Sequence, residues 1–414
     1  MARKLFTRRQ LVLAVSGAAL FGGGRYAQHH LARSGEQSGP LSEGARALIA
    51  RAWEGLDKAR VLDIHVHVFG TGVGGSGCFV GPRMSSLSNP LEYLKFSIYE
   101  EASGITDSAH CDLQYVNRLA GLVKGNGRAL LLAFDQFHDE EGKPVKENSE
   151  FFTPNDYVLQ LAAMHPEVFV PGASVHPYRP DAVEALTHAV TEGAVAVKWL
   201  PNAMGIDPSS SKCDAFYEAL RALEVPLITH AGEEKAVHAE ERQRLGNPLH
   251  LRRPLEHGVK VIVAHCASLG QNPDLDAPEA SRPWVDNFDL FIRMMEEPKY
   301  EGLLFGDVSA MAIINRIGRP LERVLRDAKL QKRLFNGSDY PLPAINLLMQ
   351  TGAMEKHGLV TAEERALLNE IDEHNPFLFD FVIKRTLRLH EGGEEHRLAN
   401  DVFMPGRDVF PRLG

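Results

Sequence analysis

The stretch Val61-Leu-Asp-Ile-His-Val-His-Val-Phe69 decides how this chain folds, because it is an apolar run that ends with two histidines one residue apart. In a β-strand, alternate side chains point to the same face, so His65 and His67 would leave one face with their roots about 6 to 7 Å apart. That spacing allows both imidazoles to bind one metal ion. Two structural histidines would give the same pattern, so the metal hypothesis needs further ligands at the ends of later strands.

The composition favours a large globular protein that acts on a small molecule. The chain has 414 residues, of which 44% are hydrophobic, and its formal net charge is −9. It can therefore bury a large core, whereas nucleic-acid binding would require a basic surface. The four cysteines are far apart and form no Cys-x-x-Cys pair, so neither a disulfide framework nor a zinc finger is predicted.

Residues 1–30 differ from the rest of the chain. The segment Thr7-Arg-Arg-Gln-Leu-Val-Leu13 precedes a short apolar run from Ala14 to Phe21 and then three glycines. Paired arginines ahead of such a run resemble a twin-arginine export signal, which predicts a periplasmic protein that meets the membrane only through this signal. The run is short for a membrane span and no clear cleavage site follows it, so a basic tail and an uncleaved membrane anchor are the alternatives.

Eight short apolar runs predict buried strands, and segments with helical periodicity lie between them. Apolar strands that alternate with helices indicate a parallel sheet covered on both faces, and eight such units match a closed (β/α)8 TIM barrel of the α/β class. We predict a linker and N-terminal helix over 31–60, a single barrel domain over 61–390 with a long loop after the first strand, and a C-terminal tail over 391–414. The predicted strands are 61–69, 128–135, 168–175, 195–200, 226–231, 259–265, 303–309 and 333–338.

The residues that end these runs are of types that can bind a metal ion or transfer a proton. In such a barrel, the functional groups collect at the carboxyl ends of the strands. Each residue alone has a structural explanation, such as a core histidine or a helix-capping aspartate, but a set of imidazoles with one carboxylate favours a metal site. The set is His65 and His67 after strand one, Lys198 after strand four, His230 after strand five, His265 after strand six and Asp339 after strand eight.

At these positions the sequence resembles the amidohydrolase superfamily, in particular its amidohydrolase-2 branch of metal-dependent hydrolases and decarboxylases. The resemblance covers roughly residues 60 to 385 and implies that the metal, usually zinc, is bound by His65, His67, His230 and Asp339. It also implies that Asp339 accepts a proton from the activated water. The segments that carry it are Asp63-Ile-His-Val-His67, Val197-Lys-Trp-Leu-Pro201, Pro226-Leu-Ile-Thr-His230, Ile262-Val-Ala-His265, Asn336-Gly-Ser-Asp-Tyr-Pro341 and Asn375-Pro-Phe377.

Lys198 leaves two metal schemes open. In binuclear members of the superfamily, a carboxylated lysine at this place bridges two metals and the histidine after strand six binds the second. In mononuclear members, the resemblance implies that Lys198 contacts the substrate and that His265 is a catalytic acid or base. We favour one metal, with a lysine that snorkels from the barrel rim as the structural alternative.

The loop Gly70-Thr-Gly-Val-Gly-Gly-Ser-Gly77 matches a dinucleotide-binding fingerprint, which has force only if a helix begins inside it. The following residues show no helical periodicity, so we predict a mobile lid over the metal site instead. Beyond it, Arg83 is a candidate for binding a substrate carboxylate, and Trp199 is a candidate substrate contact beside Lys198. Three further polar residues near strand ends are predicted to line the pocket, namely Asp135, His176 and Asp307.

The sequence thus predicts an exported metal-dependent hydrolase, most simply a zinc enzyme, that cleaves an amide, ester or lactone through activated water. A nonoxidative decarboxylase on the same barrel is the first alternative. A non-catalytic protein that retains the metal ligands and binds a small molecule is the second.

Overall fold

The computed structural model describes residues 39–237 and 239–413, so the predicted export signal lies outside the described residues. Within them, eight parallel strands each fall inside one of the eight predicted runs, and the (β/α)8 barrel is confirmed. Their bounds are β1 (Leu62–His67), β2 (Arg128–Leu132), β3 (Phe169–Gly172), β4 (Val197–Trp199), β5 (Leu227–His230), β6 (Val261–Ala264), β7 (Leu304–Asp307) and β8 (Leu334–Phe335).

The strands pair in chain order around the barrel. β1, β2 and β3 form one parallel set and β4 to β8 form another. A bridge between Ala173 and Val197 joins β3 to β4, and a bridge between Val66 and Tyr340 joins β1 to the segment after β8. The backbone N–H of Ile64 also donates to the carbonyl of Asn336 at 2.9 Å, so the first and last strands close the barrel.

Helices cover the outside of the barrel. Helical periodicity in the sequence predicts helices over 157–164, 181–191, 214–223, 286–297 and 321–330, and the first four are present with ends shifted by at most two residues. The segment predicted over 321–330 is broken at Asp327, whose side chain caps the second helix by accepting from the N–H of Leu330 at 2.9 Å. None of the described helices is long and apolar enough to span a membrane. The helices are Glu43–Ala52, Pro82–Ser85, Pro90–Ala102, Cys111–Val123, Asn155–Met164, Ala182–Thr191, Pro201–Met204, Asp214–Ala222, Arg252–Glu256, Asn287–Glu296, Arg319–Arg326, Ala328–Gln331, Thr351–Lys356, Ala362–His374 and Pro376–Thr386.

The barrel interior is filled by apolar side chains from alternate strand positions. Leu62, Ile228 and Phe335 belong to this inner cluster, and so do Val409 and Phe410 from the C-terminal segment. Phe410 is fully buried, with its ring centroid 5.8 Å from that of Phe335. The residues predicted as a tail therefore close the amino-terminal end of the barrel, and the site lies at the opposite end.

The long loop after β1 contains three helices and one strand of a two-stranded ribbon, whose other strand lies in the loop after β2. The ribbon pairs Phe79–Val80 with Phe151–Phe152. The glycine-rich segment 70–77 begins no helix. The carboxylate of Asp112 instead accepts hydrogen bonds from the backbone N–H groups of Thr71 at 2.6 Å and Gly72 at 3.1 Å. Residues 70–77 do not line the cavity that lies at the carboxyl ends of the barrel strands, so their role as a lid stays a prediction.

Two short antiparallel ribbons complete the strands of the described chain. One pairs Gln271–Pro273 with Trp284–Asp286, and the other pairs Leu389–Glu391 with Glu394–His396. Neither joins the barrel sheet.

Candidate metal centre

A partly open cavity of about 120 Å³ lies at the carboxyl ends of the barrel strands. Its apolar wall includes Phe69, Phe134, Phe151, Val237 and Leu342. The sequence-predicted metal ligands and proton-transfer residues all line it, together with one carboxylate that the sequence analysis missed. These polar residues are His65, His67, Lys198, His230, Glu234, His265 and Asp339.

A β-bulge in β1 turns both histidines toward this cavity. Leu62 and Ile64 belong to the inner cluster, whereas Val66 packs in the outer layer. The pairing register between β1 and β2 shifts between Asp63 and Val66, so the alternation of side chains changes phase there. Simple alternation would have placed the two histidines opposite Ile64, on the outside of the barrel. The bulge places them inside.

His65, His67 and Asp339 form a group of the kind that binds a metal, because one ligand atom from each lies within 4.8 Å of the others. Oδ1 of Asp339 is 3.1 Å from Nε2 of His67 and 3.5 Å from Nε2 of His65. His65 and Asp339 are buried, while His67 is partly exposed. These three residues supply two imidazoles and a carboxylate, a donor set that suits a divalent transition metal.

Asp307 fixes which nitrogen of His65 faces the site. Nδ1 of His65 donates to Oδ2 of Asp307 at 2.9 Å, which leaves the electron pair of Nε2 directed at the cavity. Oδ1 of Asp307 accepts from the backbone N–H groups of His265 at 2.9 Å and Ser309 at 3.0 Å. Burial alone would raise the pKa of Asp307, but the contacts with His65 outweigh it and hold the pKa below its usual value. Asp307 therefore lies behind the ligands and is not among the residues that line the cavity, contrary to the expectation.

A second group of three residues has one ligand atom from each within 4.8 Å of the others, namely His65, His265 and Asp307. We assign their contacts to hydrogen bonding, because Asp307 already accepts from both histidine residues.

Asp339 is ionised in this setting. Burial would raise its pKa, but interactions with the imidazoles of His265, His65 and His67 bring it well below the usual value for an aspartate. Its backbone has φ of +62°, in the left-handed region that is costly for a residue with a side chain. A strained, charged carboxylate beside two imidazoles is the arrangement expected of a functional group.

His230 lines the same cavity but stands apart from the group of three. Nε2 of His230 is buried and has no hydrogen-bond partner among the described residues, which is costly unless a ligand satisfies it. Nδ1 lies 3.6 Å from Oε2 of Glu234. Burial keeps the pKa of His230 well below its ordinary value, so the ring is neutral and able to bind a metal.

Glu234 escaped the sequence analysis because it follows β5 in a loop. Its Oε1 accepts from the N–H groups of Ala236 at 2.5 Å and Val237 at 3.1 Å, which holds the carboxyl group beside His230. Burial raises its pKa. The only signal in the sequence is its position four residues after His230.

His265 is held as a neutral base. Burial lowers its pKa to about 3, and Nδ1 donates to the carbonyl of Ser309 at 3.1 Å, so the unprotonated Nε2 faces Asp339 at 3.7 Å from Oδ2. His265, Cys266 and Ala267 have φ values of +54°, +51° and +49°. Three consecutive left-handed residues without glycine form a strained turn that aims this ring.

Lys198 reaches the cavity from β4. Nζ donates to Nε2 of His65 at 2.9 Å, and burial lowers the pKa of the lysine. Trp199, next along the strand, points the other way. Its ring packs 5.3 Å from that of Phe216 outside the barrel, and its indole N–H donates to the carbonyl of Val175. Trp199 is therefore not a cavity residue in this structure.

Other sequence-predicted candidates also lie away from the cavity. Arg83 belongs to the short helix Pro82–Ser85 and does not line it. Asp135 accepts from the backbone N–H of His176 at 2.8 Å and from Arg179, forming a separate buried network. Asp135 and His176 follow strand ends as predicted, but they do not line the cavity.

The fold and this cavity define a class: a (β/α)8 barrel with a group of His and Asp side chains that could bind a metal at the carboxyl ends of its strands. The amidohydrolase family model, of the amidohydrolase-2 type, matches residues 130–366, more than half of the chain. The chain therefore belongs to this family of metal-dependent enzymes. The matched range includes His230, His265 and Asp339, while the two histidines of β1 lie before it.

Several solved structures are similar to the chain at low identity. An uncharacterized TIM-barrel protein from Bordetella bronchiseptica has 15% identity and a TM-score of 0.45, covering 75% of this chain and 98% of its own. A probable 2-pyrone-4,6-dicarboxylic acid hydrolase from Acinetobacter baumannii has 14% identity and a TM-score of 0.43, covering 74% and 95%. A 5-carboxyvanillate decarboxylase from Sphingomonas paucimobilis has 12% identity and a TM-score of 0.41, covering 77% and 97%. No curated protein matches the chain.

Proposed function

We propose that the protein is a metal-dependent hydrolase that cleaves an amide, ester or lactone by adding water to its carbonyl carbon. The observation that carries this proposal is that ligand atoms of His65, His67 and Asp339 lie within 4.8 Å of one another on the wall of one cavity. His230 completes the proposed ligand set, because its buried Nε2 needs a partner. A zinc ion held there would lower the pKa of a water molecule toward neutrality and polarise the substrate carbonyl.

Side chains of the protein then accept and donate the protons of the reaction. Ionised Asp339 accepts a proton as the water oxygen attacks the carbonyl carbon, and it returns that proton to the departing amine or alcohol when the carbon–heteroatom bond breaks. His265 accepts a hydrogen bond at Nε2 and orients the water. Lys198 donates to the negative charge that develops on the carbonyl oxygen.

The apolar wall supports the same chemistry. Phe69, Phe134 and Phe151 limit the access of bulk water to the reacting groups. A dry cavity strengthens the interactions of Asp339 and Lys198 with developing charges.

We propose one metal ion. One ligand atom from each of His65, His67 and Asp339 lies within 4.8 Å of the others, so a single ion can contact all three without a bridge from Lys198. Carboxylation of Lys198 with two ions is the competing scheme, and it predicts two equivalents of metal in the purified protein.

The proposal is tested by turnover of a panel of esters, lactones, amides and aromatic carboxylates by zinc-loaded protein. We expect acid release without carbon dioxide, and a loss of roughly 10²- to 10⁴-fold in kcat in Asp339→Asn. Asp214→Asn, which removes a carboxylate paired with Arg253 on the surface, should leave kcat unchanged. Carbon dioxide release would replace the hydrolase with the decarboxylase, and ligand binding without turnover would indicate a binding protein.

We also propose that the chain is exported to the periplasm through its Arg8-Arg9 pair. Cell fractionation should find the wild-type chain in the periplasm and an Arg8→Lys, Arg9→Lys double variant in the cytoplasm. Recovery of the wild-type chain in the membrane fraction would favour an uncleaved anchor.

A further inference from the structure

Apolar side chains form most of the wall of the cavity that holds the proposed metal ligands. They come from loops at the carboxyl ends of four different strands. They include Phe69 after β1, Phe134 and Phe151 after β2, Val237 after β5 and Leu342 after β8. Because this wall and the proposed ligands border one cavity, a substrate whose carbonyl group reaches the ligands places its neighbouring atoms against the wall.

Phe151 belongs to the two-stranded ribbon and faces the cavity. Its ring centroid lies 5.9 Å from that of Phe69 and 6.1 Å from that of Tyr99, and both of these residues also line the cavity. Adjacent residues of a strand point to opposite faces. Phe152 accordingly does not line the cavity, and its ring packs 5.3 Å from that of Phe79. The ribbon therefore directs one of two neighbouring phenylalanines to the cavity and the other away from it.

The hydroxyl groups on the wall are already paired within the protein. Those of Tyr99 and Thr153 donate to backbone carbonyls at 3.0 Å and 2.8 Å. Lys198 is the only lysine or arginine among the described residues that line the cavity, and the proposed reaction uses it at the carbonyl oxygen. A second charged group of a substrate would therefore lose its hydration against the apolar wall without gaining an ionic partner, which is costly.

The volume of the cavity limits the size of the group that the wall can cover. An apolar cavity of roughly 150 Å³ holds one benzene molecule. The cavity here has about 120 Å³, and a metal ion with its water would take part of that volume. The covered group is therefore smaller than a benzene ring, as a short alkyl chain is.

We propose that the wall around Phe151 selects substrates whose carbonyl carbon carries a short, uncharged apolar group. This inference rests on the proposed function and narrows it to esters, lactones or amides of short apolar acids. Phe151 limits the length of the group, because its ring lies beside Phe69 and Tyr99 on the wall and its removal would enlarge the cavity.

Calorimetry with hydroxamates tests the proposal on zinc-loaded protein. These probes chelate a metal ion through two oxygens and so hold a chosen alkyl group beside it. From acetohydroxamate to butanohydroxamate, the affinity should rise about fourfold for each added methylene. Octanohydroxamate should gain no more than about fourfold over butanohydroxamate, because most of its additional chain stays in water. The monohydroxamate of succinic acid, which has similar length but ends in a carboxylate, should bind roughly tenfold more weakly than butanohydroxamate.

Truncation of Phe151 should change this pattern. In Phe151→Ala, octanohydroxamate should bind roughly tenfold more tightly than butanohydroxamate, because more of its chain is covered. Phe151→Leu should show a smaller gain. Phe152→Ala is the matched control, since it makes the same truncation on the other face of the same ribbon, and it should keep the wild-type pattern.

Three results would overturn the proposal. The first is a wild-type pattern in Phe151→Ala or, if that variant does not fold, in Phe151→Leu. The second is an equal gain for octanohydroxamate in Phe152→Ala, which would trace the effect to loosening of the ribbon. The third is binding of the succinic probe as tight as that of butanohydroxamate.

The same titrations distinguish this inference from the proposed function. Wild-type protein that holds zinc and binds acetohydroxamate, but shows no dependence on chain length, rejects the selection by the wall alone. Wild-type protein that binds no metal rejects the metal-dependent hydrolase, and the dependence on chain length measured without metal then still decides whether the wall binds short apolar groups.

Discussion

Replacing Asp307 with asparagine should weaken metal binding while leaving the fold almost intact. Oδ1 of Asp307 accepts from two backbone N–H groups and from the hydroxyl of Ser309, whereas Oδ2 accepts only from Nδ1 of His65. Because Oδ1 accepts three hydrogen bonds and Oδ2 accepts one, the asparagine side chain should place its oxygen at the Oδ1 position. The amide nitrogen then faces Nδ1 of His65.

This orientation reverses the tautomer of His65. The amide donates to Nδ1, so the ring proton moves to Nε2, which can no longer bind a metal. Loss of such a supporting carboxylate typically weakens metal binding 10- to 100-fold, which corresponds to about 1.4 to 2.7 kcal/mol. Competition with a chromogenic chelator measures the dissociation constant, and denaturation by urea measures the free energy of unfolding.

Asp214→Asn serves as the control and should match the wild-type metal affinity. If Asp307→Asn binds zinc as tightly as the wild-type protein, then His65 does not act as a ligand through Nε2. The proposed metal centre would then have to be rebuilt around other residues.

Three further results are expected. Elemental analysis of Lys198→Met should find about one equivalent of metal, as in the wild-type protein, and a fall from two equivalents to one or none would support the bridging scheme instead. Burial holds the pKa of His176 at about 3, against 6.5 in the unfolded chain, so the unfolded chain binds the proton first as pH falls below about 6.5. The free energy of unfolding should therefore fall by about 1.4 kcal/mol per pH unit down to about pH 3, and urea titrations should show a shallower decline for His176→Asn. Phe410→Ala should lower the free energy of unfolding by about 3 to 5 kcal/mol at pH 7 with the metal content retained, and a smaller loss would mean that the C-terminal segment contributes little to the barrel core.

The strands could be predicted because a parallel strand buried on both faces is apolar at nearly every position. The same property explains His65, His67, His230 and Asp339, which stand out as polar residues where such runs end. The face of the sheet to which each side chain points is harder to predict from the sequence. Trp199 ends a strand as Lys198 does, but the next residue along a strand points to the other face.

The bulge in β1 shows a second limit of the pattern. Period-two alternation gives the correct relation between His65 and His67, but it does not reveal that the phase changes after Ile64. Hydrogen bonding to neighbouring strands determines that change, so it depends on contacts distant in sequence.

The sequence analysis missed a loop residue of the cavity for a third reason. Glu234 reaches the cavity through a loop conformation that carries no periodic signal, and a glutamate in a loop is usually exposed. Asp307 was found at a strand end, but only the fold shows that it supports the metal ligands from behind.

The left-handed turn at His265, Cys266 and Ala267 costs folding stability, but it holds the imidazole of His265 in one orientation. A non-glycine residue costs on the order of 1 kcal/mol in this conformation, so Cys266→Gly would relieve part of the strain. Cys266 is also fully buried, so this substitution would remove core packing while it freed the backbone that orients the ring of His265. The strained turn therefore gives the base a fixed direction that a glycine would not maintain.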